Sequence, residues 1–189
     1  MTPAADPLFT QLQSKNDDEA RLALDALFDA TYVKLVRFAV SYAGSLESSE
    51  DVVGEVFMAI WANRTTLTVQ GSLEAYLFGA VRRRAISVYR HGARHTRRDT
   101  PMLADGEHWG MGVPPDTPDA GLLCHDTRDL LWRAIAELPE RQREILALRW
   151  QGELGWEDVA RVLESTTAAV QMQHSRALKT LRARLANEP

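Results

Sequence analysis

Apolar residues recur every three or four positions over most of this chain, and no pair of strands with its turn chemistry interrupts them. Leu24, Leu27, Phe28, Leu35, Phe38 and Tyr42 line one face of a long helix over residues 22–43, ending near Gly44. Ser48 and Asp51 form a capping-box-like start to the next helix, whose stripe is Val52, Val53, Val56, Phe57, Ile60 and Trp61. Residues 63–72, NRTTLTVQGS, are β-branched and polar, and read as a loop. A third helix opens after Ser72, with Leu73, Tyr76, Leu77, Ala80, Val81, Ala85 and Val88 inward. Its arginines Arg82, Arg83 and Arg90 are expected to fan outward. The spacing predicts an all-α chain.

Residues 99–125 are dense in glycine and proline and hold no period, so they read as a linker. Helical order returns near Asp126 with Leu130, Leu131, Ala134, Ile135 and Leu138, and Pro139 suits the first turn of a new helix. Four short helices then make a second small domain. The last two form a helix-turn-helix pattern around Glu164-Ser165-Thr166-Thr167. Ala160 is small enough to let the second helix approach the first. Val170, His174, Ala177, Leu178, Leu181 and Leu185 face inward, with His174 a packing residue. Gln171, Met172, Ser175, Arg176 and Lys179 lie on the opposite face. Gln171 can bond adenine in a paired fashion and Arg176 guanine, while Lys179, Arg182 and Arg184 hold phosphates. Spacing alone leaves two readings open: a DNA reader, or a helical hairpin with a solvated outer face. Glu164 stands where a glycine would be easier. It can end the first helix in helical or bridge geometry, or take a positive φ at a cost of about 1 kcal/mol.

Charge is sharply segregated behind a formal net charge of −4. Residues 79–98 hold seven arginines and no acid, whereas residues 99–127 hold six acids and no Lys or Arg. Such segregation suits a polyanionic partner on one surface and a different partner elsewhere. The arginine-rich helix also carries Tyr76, Phe78 and Tyr89. Arginines grip phosphates while aromatics stack unpaired bases, and the 63–72 loop just before this helix can form a pocket for a base taken out of the stack. Of the acids in the preceding helix, Glu50 and Asp51 are accounted for by the helix dipole; Glu55 lies further in and is the better candidate for a protein contact.

Several classes are disfavoured. No Gly-rich phosphate loop, metal-spaced Cys/His cluster or nucleophile-base arrangement is visible, so neither an enzyme nor a cofactor or metal is expected; the adjacent Cys124-His125 pair does not build a zinc site. No run approaches the roughly 18 apolar residues of a membrane helix. The N-terminal residues lack a basic-then-apolar segment, and the one cysteine cannot form an internal disulfide, so a cytoplasmic location is expected.

With SSEDVVGEVFMAIWANR, LEAYLFGAVRRRAISVYRH, LPERQREILALRWQGELGWEDVARVL and AAVQMQHSRALKTLRARL in this order and spacing, the chain resembles an extracytoplasmic-function (group IV) sigma factor of bacterial RNA polymerase, in the sigma-70 family. The resemblance implies an N-terminal segment (1–19), a region 2 domain (20–98), an acidic linker running through the polymerase (99–127) and a region 4 domain (128–189). It implies binding to the polymerase clamp helices through Asp51, Glu55, Phe57 and Trp61. It implies recognition and melting of the −10 element by Arg64, Thr65, Tyr76, Arg82, Arg83, Tyr89, Arg90 and Arg94. Reading of the −35 element falls to Thr167, Gln171, Met172, Ser175, Arg176 and Lys179, with region 4 also docking on the polymerase flap. Promoter DNA, core polymerase and an anti-sigma factor are the implied partners. The alternative is a stand-alone helix-turn-helix regulator, for which the arginine-aromatic helix has no use. Arg83, Ser87, Glu164, Gln171 and Gly54 depart from the usual family residues.

Overall fold

Pro7 opens a helix of six residues, α1 (Pro7–Leu12), too short for periodicity to announce it. The computed structural model describes residues 7–43, 45–95 and 125–186. The long helix α2 (Asp17–Ala43) begins five residues before the expected start at residue 22. Its start is local chemistry: Asn16 Oδ1 accepts from the Asp18 amide, and Asp17, Asp18 and Glu19 sit in the favourable field of the first turn.

Helix α3 (Leu46–Asn63) corrects the expected start. Ser45, not Ser48, is the cap: its Oγ accepts from the Ser48 amide at 3.1 Å, with φ −141° and ψ 157°. Helix α4 (Leu73–His95) opens where expected, with Ser72 Oγ accepting from the Ala75 amide. Beyond residue 124 come α5 (His125–Ala136), α6 (Glu140–Trp150), α7 (Trp156–Val162) and α8 (Thr167–Ala186). Pro139 stands one position before α6, where its carbonyl accepts from the Gln142 and Arg143 amides. No strand occurs among the described residues.

Helices α2, α3 and α4 bury Leu35, Phe38, Val52, Val53, Leu77, Phe78 and Val81 in an N-terminal bundle, with the Phe38 and Phe78 rings edge to face at 5.2 Å. A smaller core joins α5, α6 and α8 through Ile135, Leu138, Leu146, Ala177 and Leu181. The larger core does not stop at the domain boundary. Ile145, Leu148, Leu154, Val159, Ala160 and Val162 belong to the same buried cluster as α2–α4, and α7 packs on α4. Gly152 permits this approach: a Cβ there would meet the Phe78 ring at 3.0 Å. The two units therefore lie against each other.

Candidate nucleic-acid interface

The helix-turn-helix is built by α7, the turn and α8. Val159 and Ala160 are buried beneath α8, and Val170, Ala177 and Leu181 seal its inner face. Glu164 adopts φ 50°, and the Ser165 amide donates to the Ala160 carbonyl at 2.8 Å. This is a Schellman closure with a glutamate at the left-handed position, so the helical or bridge geometry considered for Glu164 does not occur. Thr166 Oγ1 then caps α8 by accepting from the Ala169 amide. His174 packs edge-on against Trp156 at 5.0 Å, and the Arg149 guanidinium lies over a Trp156 ring, 4.3 Å from its centre. Burial, then the Arg149 charge, lowers the His174 pKa, which keeps the imidazole neutral at pH 7. Gln171, Met172, Ser175, Arg176 and Lys179 are all exposed, with Thr167 half-buried beside them.

The second face is built by α4 and the 63–72 loop. A cavity of about 430 Å³ lies there, lined by Val56, Ile60, Asn63, Leu67, Thr68 and Tyr76 among others. Its apolar floor comes from α3, its rim from the loop. The loop is held from the N-terminal side, which the sequence reading missed. Gln13 Nε2 donates to the Leu67 carbonyl at 2.7 Å, and Arg64 pairs with Asp17 while its guanidinium lies 4.2 Å from the Trp61 ring centre. Arg64 is thus engaged within the protein, whereas Thr65, Arg83, Tyr89 and Arg90 are exposed. The side chain of Arg94, like the linker to residue 124 and its Cys124, lies outside the described residues.

Arg82 corrects the expected outward fan. Its Nε donates to Glu144 Oε1 at 2.9 Å, inside the seam between the two units. Glu144 is 4% exposed and was not singled out from the sequence. An acid directly preceding the buried Ile145, within a helix otherwise sealed on that side, was the available signal.

The four residues set against a polymerase contact are not alike. Asp51 is exposed. Glu55 pairs with Arg84 of α4, whose hydrogen bond holds the Glu55 carboxyl below its ordinary range. Phe57 is 5% exposed and packs edge to face on Phe28 at 5.0 Å, so it shapes the surface from beneath. Trp61 is half-buried under Arg64.

A helix-turn-helix with an outward polar face, joined in one chain to an arginine- and tyrosine-bearing helix beside an apolar cavity, defines a two-unit, all-helical class of nucleic-acid-binding protein. Residues 27–95 match the family model Sigma-70 region 2, and residues 128–181 match Sigma-70, region 4. Together they take in more than half of the chain, which belongs to the sigma-70 family. The RNA polymerase sigma factor FliA of Pseudomonas aeruginosa is 41% identical over 92 residues, 46% of this chain and 36% of that protein. The chain's matches thus span a little over a third of the first curated relatives. The ECF RNA polymerase sigma factor EcfG of Rhodopseudomonas palustris is 26% identical over 156 residues, covering 82% of this chain and 81% of that one. Among solved structures, CnrH in complex with the cytosolic domain of CnrY has a TM-score of 0.62 at 21% identity, covering 96% of this chain and 97% of its own. The sigma factor RpoE in complex with the anti-sigma factor NepR, from Bartonella quintana, has 0.58 at 22%, covering 92% and 98%. These two likenesses support the fold.

Proposed function

We propose that this chain is a promoter-specificity subunit of bacterial RNA polymerase, which brings the core enzyme to particular promoters and starts their opening. The observation that carries it is the union, in one chain, of a region 2 surface with an apolar cavity beside cationic and aromatic residues and a region 4 helix-turn-helix with a free outer face. The N-terminal unit, within residues 20–98, takes the −10 element: Tyr89, Arg83 and Arg90 offer stacking and phosphate contacts. The cavity beside Tyr76 has the size and apolar floor for one unstacked base. The C-terminal unit, within 128–189, takes the −35 element through Gln171, Met172, Ser175, Arg176 and Lys179, with Thr167 at the helix start. Asp51 and Glu55 present carboxylates to the clamp helices, on a surface shaped by Phe57 and Trp61.

The chain performs no covalent chemistry of its own and works in the cytoplasm, where the polymerase is. Among its described residues no helix is long and apolar enough to cross a membrane. An anti-sigma factor is a further partner, supported by the complex in which RpoE was solved. A stand-alone helix-turn-helix regulator leaves the region 2 surface without a use.

The test is transcription by core polymerase with and without the purified chain on fragmented genomic DNA, with sequencing of the transcript starts. New starts sharing upstream sequence at two separated positions are expected. Failure of the chain to be retained by core polymerase in a pull-down overturns the reading.

A further inference from the structure

Among the large apolar side chains of α8, Val170 and Leu181 are buried and Leu178 and Leu185 half-buried, but Met172 is 49% exposed. A lone apolar residue on a surface needs no explanation by itself; the place of this one does. Residues advance about 100° each around a helix. Met172 therefore stands about 160° round from the middle of the buried row of Val170, Ala177 and Leu181. It occupies the crest of the outer face, with Gln171 and Ser175 to one side and Arg176 to the other, all exposed. Ala168, one turn earlier, is also exposed and too small to shield it.

The crest lies within the first two turns of α8. A helix-turn-helix brings those turns of its second helix to the base edges in the major groove. The tilt of α8 is fixed from behind, by the Ser165 amide bond to the Ala160 carbonyl and by the Thr166 cap. Whatever base edge comes closest to the helix axis therefore meets a thioether.

A thioether has no proton to donate and accepts only weakly. Set against guanine, adenine or cytosine, it takes the place of water at a polar edge and leaves that edge unpaired. Thymine alone adds an alkyl group, the C5 methyl, to its major-groove edge. Against that methyl both partners lose apolar surface to water, and the unbranched, polarisable methionine adapts to its position.

We propose that Met172 reads the C5 methyl group of a thymine in the −35 element. The proposal rests on the −35 assignment made under Proposed function and adds a base and an atom to it. Gln171 and Arg176 act through hydrogen bonds, whereas Met172 acts by apolar contact. The contact displaces no counterion, so its preference for thymine is the same at low and high salt.

The test uses core polymerase carrying the full chain and promoter duplexes taken from the sequenced transcript starts. Each −35 thymine, on either strand, is replaced singly by deoxyuridine, which lacks only the methyl group. Competition binding is expected to show one position where the wild type loses about fourfold, the weight of one buried methyl. Met172→Ala is expected to bind the thymine and deoxyuridine duplexes equally, and Met172→Leu to keep the preference. Absence of any deoxyuridine-sensitive position overturns the proposal. So does a sensitivity that survives in Met172→Ala, or a −35 element without thymine. A Met172 that touches only solvent or the polymerase gives the first of these results. A duplex with a scrambled −35 sequence is measured alongside. Equal binding to it by the wild type would strike the −35 assignment itself, and full dependence on it with no methyl effect would strike only the role of Met172.

Discussion

The Tyr42 hydroxyl donates to Glu144 Oε1 across the seam between the two units, 102 residues apart in sequence. Removing that donor leaves a buried carboxylate one hydrogen bond short. Tyr42→Phe is expected to lower stability by about 1.5–3 kcal/mol, the usual range for a bond to a charged group. Thermal unfolding checks this; a change within the noise of the melting curve would mean that Arg82 and Arg141 satisfy Glu144 alone.

Burial, then the nearby Glu144 charge, holds the Tyr42 phenol protonated far above its ordinary value of 10.0. A group whose folded pKa is raised contributes stability that is intact below the unfolded pKa and is lost as pH rises towards the folded one. The folded chain is therefore expected to weaken above pH ~10. Ultraviolet titration should show one tyrosine resisting ionisation until the chain unfolds, and Tyr42→Phe should abolish that late step. A single unresolved tyrosine transition in the wild type would count against it.

Glu164 holds φ 50° at the end of α7, with an exposed side chain. Glycine removes a left-handed cost of about 1–2 kcal/mol and returns about 0.4–1 kcal/mol through the unfolded chain. Glu164→Gly is thus expected to stabilise the chain by up to about 1.5 kcal/mol, and Glu164→Val to destabilise it. Chemical denaturation measures both, and a glycine variant less stable than wild type would show that the glutamate side chain contributes a contact of its own.

The outer face of α8 makes Gln171 a testable base reader. Gln171→Arg exchanges an adenine-type donor–acceptor pair for a guanine-type donor fork. Selection from a randomised −35 region should show a changed preference at one base pair, with about 1–3 kcal/mol of discrimination. An identical selected sequence would remove Gln171 from base reading.

Gln13 and Asp17 hold the 63–72 loop from outside the segment matched to region 2. Gln13→Ala together with Asp17→Ala should speed hydrogen exchange in residues 63–72 and weaken promoter opening several-fold, as expected when a loop loses its backbone anchor. Affinity for core polymerase should hold. Equal losses in core binding would mean that the bracing supports the whole bundle instead of the loop.

Apart from α1, the helices of both units were legible because each buries a stripe at a period of 3.6, which is a property of neighbours in sequence. The outward residues of α8 were legible for the same reason, and the loop at 63–72 from its β-branched, polar composition. The start of α3 was misplaced by three residues because Ser45 and Ser48 are both competent caps, and only the backbone angles choose between them. The left-handed Glu164 could not be told from sequence either: glutamate takes that geometry only where packing of α7 against α8 enforces it. Arg82 was the largest misreading. On its own helix it lies about 100° round from Arg83, beside the apolar stripe between Phe78 and Ala85, and the local pattern does not say what it meets there. What turned it inward is a carboxylate 62 residues away, carried there by the docking of α7 on α4. Local periodicity determined which helices this protein has and which faces each one hides. The partner of a charge is decided by distances between elements, and those exist only once the units have packed.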